Sequence, residues 1–117
     1  MAKALSDASF PASFVAGAIP HPSITLEEMI WQKDAKQLVS TITTPILLLP
    51  AGNDPDRYRQ GGDIYETLKA NNSSSEVDDS FKTLTHGWSI RGDISDAVVY
   101  DGVSKAFEKI ESYFSRF

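Results

Sequence analysis

Four consecutive apolar residues lie between prolines in Pro45-Ile46-Leu47-Leu48-Leu49-Pro50. Such a run has no polar face to offer water, which is the pattern of a strand buried on both sides in a parallel sheet covered by helices. Upstream, Ser13 to Ile19 is a short apolar run ended by Pro20 and reads as a second buried strand. A Pro-bounded loop, His21-Pro22-Ser23, follows it. Thr25 with Glu27 and Glu28 then suits a helix start, giving a turn or two through Ile30 and Trp31, and a second short helix is expected around Asp34 to Val39. Asp63 to Ala70 places Ile64, Tyr65 and Leu68 on related faces of a helix that runs out into the polar turn Asn71-Asn72-Ser73-Ser74-Ser75. Val77 to Leu84 fits a third strand, with imperfect alternation. The last helix has the clearest period: Val99, Val103, Ala106, Phe107, Ile110, Phe114 and Phe117 recur at three and four positions, with Asp101, Lys105, Glu108, Lys109 and Ser112 opposite. Ala2 to Ser9 reads as the tail of a helix that begins upstream, because no capping pattern opens it. Strand, helix, strand, helix, strand, helix is the order of a parallel sheet with crossover helices, so the fold class expected is α/β, in one domain over 1–117.

Composition narrows the partners. A formal net charge of −5 disfavours a nucleic-acid partner, which needs a concentrated basic surface. The longest weakly polar stretch, Phe10 to Ile19, is broken by Pro11 and falls well short of the roughly 20 residues a membrane span needs. The same stretch makes a poor secretory signal, so a cytoplasmic setting is expected. Cysteine is absent from all 117 residues, which removes disulfides, thiolate metal sites and a thiol nucleophile from them. His21 and His86 are the only histidines and belong to no metal-binding pattern, so neither metal nor cofactor is expected.

Asp54 lies just past the C-terminal end of the Ile46–Leu49 strand, in Ala51-Gly52-Asn53-Asp54-Pro55, and His86 lies in Thr85-His86-Gly87 after the next expected strand. In open α/β sheets ligands and catalytic groups gather at that edge. Two successive parallel strands thus deliver a carboxylate and an imidazole to one rim, where the acid can fix the tautomer of the base. Alternatives stand beside this pairing: Asp54 as a turn former bonded to local backbone, Asp56 as the acid in its place, and His86 as an ordinary loop residue. Ser23 has no Gly-x-Ser-x-Gly around it, and His21 reads as structural first.

Thr85-His86-Gly87-Trp88-Ser89-Ile90-Arg91-Gly92-Asp93, with Ala18-Ile19-Pro20-His21-Pro22-Ser23 and Pro45 to Asp54, resembles the C-terminal half of the dienelactone hydrolase family. The resemblance implies a partial α/β-hydrolase fold, a three-layer parallel sheet lacking the N-terminal strands and the nucleophile elbow. It also implies Asp54 as triad acid, His86 as general base, and Arg91 as partner of a substrate carboxylate, unless Arg91 pairs with Asp93 or Asp96. Trp88 would line the pocket mouth or pack into the core. The substrate class implied is a small ester or lactone, attacked by a Cys thiolate. Met1-Ala2-Lys3 looks like the tail of the family's Gly-x-Cys-x-Gly elbow, which places that thiol upstream of Met1. Hence the chain alone is expected to be inactive, with Phe14 to Ile19 left as an exposed apolar sheet edge through which copies self-associate. The competing functional class is a non-catalytic interaction module that uses this edge to bind itself or a partner. A flavodoxin-like binding domain would be a third, but no Gly-rich phosphate loop supports it.

Overall fold

The computed structural model describes residues 14–117, so the expected helix over 2–9 and the Met1-Ala2-Lys3 motif lie outside the described residues. Three strands run parallel in spatial order β1-β2-β3: β1 at Gly17–Pro20, β2 at Ile46–Leu49 and β3 at Glu76–Val77. The helices are α1 (Leu26–Trp31), α2 (Ala35–Ser40), α3 (Asp63–Asn71), α4 (Trp88–Arg91) and α5 (Ala97–Phe114). Two 3₁₀ turns, Asp56–Tyr58 and Asp79–Phe81, complete the order.

Alternation along β2 builds two cores, because successive side chains of a strand point to opposite faces. Ile46 and Leu48 pack with Val39 of α2 and with Ile64 and Leu68 of α3 on one face. Leu47 and Leu49 pack on the other with Phe81, Leu84, Trp88 and two residues of α5, Ala106 and Tyr113. The result is helices on both sides of a central sheet, with all four β2 residues buried as their sequence requires. Two polar side chains close the open ends of this arrangement. Buried Ser75 accepts the Ile46 N–H on its Oγ at 3.1 Å, and the Asn71 amide donates to the carbonyls of Val39, Ser40 and Ile42 at the end of α2.

Three expectations need correction. The strand expected over Val77 to Leu84 is only Glu76–Val77; Asp78 then accepts the Ser80 N–H and turns the chain into a 3₁₀ turn, which buries Phe81 without further strand. On α5 the buried stripe is Gly102, Ala106 and Tyr113, flanked by Val99, Val103 and Ile110. Phe107 is 69% exposed and Phe114 43%, because the close approach of Leu84 to Gly102 sets the rotation of the helix. The first strand occupies only Gly17–Pro20 of the described residues, with Phe14 and Val15 ahead of it exposed.

Candidate active site

The loop after β2 and the loop before α4 meet at the carboxyl end of the sheet. Gly52 donates its N–H to the Leu84 carbonyl at 2.8 Å, and a Cβ on Gly52 would stand 2.0 Å from the Lys82 carbonyl oxygen. Glycine is therefore required here for the close approach of two backbones, while its φ is not among the positive ones. Asn53 adds a second tie by accepting the His86 N–H on Oδ1 at 2.6 Å.

These ties bring Asp54 and His86 together. His86 Nδ1 lies 2.5 Å from Asp54 Oδ1, and the other carboxylate oxygen accepts the Ala51 N–H at 2.7 Å. Asp54 is 6% exposed, whereas the His86 side chain keeps about a third of its surface open. An ionised carboxylate only accepts, so the proton of this bond sits on Nδ1 and Nε2 of the neutral ring is left as an acceptor. Asp56, the alternative acid, has a fully exposed side chain and pairs with Arg59 at 3.4 Å. It takes no part in the site.

Arg59 anchors the Asp54 loop and Tyr58 anchors Thr25 in the loop after β1, and sequence reasoning assigned neither. The Arg59 guanidinium is largely buried and bonds the Ala51 carbonyl and Asp79, both at 2.5 Å, which pins the loop that carries Asp54. Tyr58 is fully buried; its hydroxyl accepts the Thr25 N–H at 2.7 Å and donates to Thr25 Oγ1 at 3.0 Å. Nothing in their local pattern marks either role, because both partners come from distant segments.

The loop after β1 supplies the remaining members. Ser23 Oγ stands 3.1 Å from His86 Nε2 and is exposed. His21 lies beside it with φ at +37°, an unfavourable backbone for a residue with a Cβ. Its Nε2 is 2.6 Å from Ser89 Oγ, its Nδ1 is buried with no hydrogen-bond partner, and its ring meets that of His86 edge-on at 5.0 Å. Burial, and next the neighbouring His86, hold the His21 pKa below its ordinary 6.5. Ser23 is thus brought to the site although its sequence context gives no sign of it.

Trp88 and Arg91 sit on α4, directly after His86. Trp88 is a core residue, 3% exposed and stacked on Phe81 at 5.0 Å, and it also lines an open cleft of about 420 Å³ beside His86. Arg91 lines the same cleft and lies over Gly87, whose φ of +90° and missing Cβ make room for the guanidinium. Among the described residues Arg91 forms no ion pair: Asp93 bonds Ser95 and Asp96 caps α5 through the Val98 N–H. No group of three metal-ligating side chains occurs among the described residues, and none of their helices is long and apolar enough to cross a membrane.

The described residues form a small α/β domain with a three-stranded parallel sheet and, at the sheet's carboxyl edge, a pair of buried acid and part-exposed imidazole. Comparison with protein-family models, with curated proteins and with solved structures finds no match.

Proposed function

We propose that the chain carries the acid and base of a hydrolase for small esters or lactones, of the dienelactone hydrolase type within the α/β-hydrolase fold. The observation that carries this is the 2.5 Å contact of His86 Nδ1 with buried Asp54, formed by loops from the carboxyl ends of neighbouring parallel strands. Asp54 orients the ring and stabilises the imidazolium, and His86 Nε2 takes the proton of the attacking group. Arg91, which forms no ion pair among the described residues and lines the cleft beside His86, is the group that would receive a substrate carboxylate. Thiolate attack would need a cysteine from outside these 117 residues, which contain none, so lactone turnover by that route is not expected of the chain alone.

The base can be tested without the thiol. Leaving-group release from an activated aryl ester should run about 10²-fold or more faster with the native chain than with His86→Ala, the usual worth of a positioned base. Equal rates would overturn the proposal. A second reading, an interaction module, draws on β1 as an outer strand of the described sheet and on α1, where Met29, Ile30 and Trp31 are each more than half exposed. Sedimentation of the purified chain separates it: a monomer at all concentrations that binds no partner counts against that reading.

A further inference from the structure

We propose that Ser23 is a nucleophile of this chain, acylated through His86. The inference rests on the hydrolase function proposed above and names the atom that its base serves. Ser23 Oγ is 3.1 Å from His86 Nε2, within the reach expected of a nucleophile and its base. The direction of that bond follows from the rest of the network. Both oxygens of Asp54 accept, one from Ala51 N–H and one from His86, so Nδ1 holds the imidazole proton and Nε2 has only a lone pair to offer. The hydrogen between Ser23 and His86 is therefore the hydroxyl's own, aimed at the base.

The loop that presents Ser23 is built to hold it. His21 takes a strained left-handed backbone one residue past β1, its N–H still bonded to the Leu49 carbonyl at 2.9 Å. Pro22 is fully buried, Ile24 is 6% exposed, and Thr25 is fastened to the Tyr58 hydroxyl. Ser23 itself is exposed between these anchors, and α1 begins three residues later. A strained strand-to-helix turn that offers one hydroxyl to solvent is the setting of a hydrolase nucleophile. The order Ser23, Asp54, His86 is likewise nucleophile, acid, histidine. The flanking glycines of the usual elbow are missing, so acylation should be slow.

In the reaction with an ester, Ser23 Oγ bonds to the acyl carbon as its proton passes to His86 Nε2. The carbon–oxygen bond to the leaving group then breaks, and that oxygen takes the electron pair and the proton from Nε2. Water repeats the sequence on the acyl-serine: its proton goes to Nε2, the free acid leaves, and Ser23 Oγ recovers a proton from the imidazole. With a fluorophosphonate, Oγ bonds to phosphorus as its proton passes to His86 Nε2, the phosphorus–fluorine bond breaks, and fluoride carries off the electron pair.

A fluorophosphonate probe and intact-mass measurement test this on the full chain. The expected result is one equivalent of adduct on Ser23 by peptide mapping, lost in Ser23→Ala and reduced at least 10-fold in His86→Gln. No adduct, or one that persists in Ser23→Ala, overturns the proposal. Alkylation of Ser23→Cys by iodoacetamide separates the two levels. If the native serine is inert but the thiol variant reacts at least 10-fold faster with His86 than with His86→Gln, the nucleophile proposal fails and the base stands. If His86 makes no difference to either, both fail.

Discussion

Replacing Asp54 by asparagine should reverse the tautomer of His86. The two bonds of the carboxylate, to Ala51 N–H at 2.7 Å and to His86 Nδ1 at 2.5 Å, both use it as acceptor. An asparagine amide has one accepting oxygen and one donating nitrogen. The Ala51 amide is fixed in the backbone and can only donate, so the oxygen of Asp54→Asn stays there and the NH₂ faces His86. Nδ1 must then accept, the ring proton moves to Nε2, and the lone pair aimed at Ser23 is lost. A comparable acid-to-amide change in a serine protease lowers kcat by about 10⁴, and a loss of that order sets the upper end of the expected effect. In stability, two charge-assisted bonds become neutral ones, which costs about 1–2 kcal/mol in total. Unfolding entropy for 117 residues is about 0.25 kcal/mol/K, so Tm should fall by about 4–8 °C. Long-range proton–nitrogen NMR at alkaline pH assigns the protonated nitrogen directly, with or without activity. An unchanged Nδ1–H tautomer in Asp54→Asn, in a variant that still folds, would refute the reasoning.

Gly52→Ala should destabilise the fold by about 1–3 kcal/mol, read as a lower denaturant midpoint, because its Cβ would meet a backbone carbonyl that cannot move aside without separating the Asp54 and His86 loops. Arg59→Met keeps the packing of the stem but leaves the Ala51 carbonyl and Asp79 without their donor; a loss of about 1–3 kcal/mol is expected, with His86-dependent ester cleavage falling further than stability accounts for. His21 gives a pH signature. Its folded pKa lies below 6.5, so the unfolded chain binds the proton more readily, and the stability present above pH 6.5 should be lost as pH falls from there through the lowered folded value. Denaturant midpoints of the native chain and of His21→Phe, compared across that window, check it: the same pH slope in both would remove His21 as the cause.

The parts of this molecule that could be read from the chain are those with local signatures. The Pro-bounded run Ile46–Leu49 admits no exposed face, and it is the buried central strand. The short helix expected around Asp34 to Val39 is present at Ala35–Ser40, where the Asp34 carboxylate accepts the Lys36 and Gln37 N–H groups. Asp54 and His86 meet at one rim of the sheet as expected, although His86 follows β3 through a 3₁₀ turn and a loop and not directly. What was not legible depends on distant partners. Phe107 fits the apolar period of α5 and is exposed, while Tyr113 is buried with its hydroxyl on the Ser74 carbonyl, because Gly102 against Leu84 fixes the helix rotation. The third strand stops at Val77 because Asp78 offers the backbone a tighter turn. Ser23 reaches the site through a contact 63 residues away in sequence, and Arg59 is held between the Ala51 carbonyl and Asp79, 20 residues on, which no local pattern announces.

A double-variant cycle on ester cleavage tests most directly whether Asp54 and His86 act as one acid–base unit. Groups that work together are strongly non-additive, so Asp54→Asn should cost little or nothing further once His86 is alanine. An Asp54→Asn loss that is undiminished in the His86→Ala background, or native activity in either single variant, would contradict it.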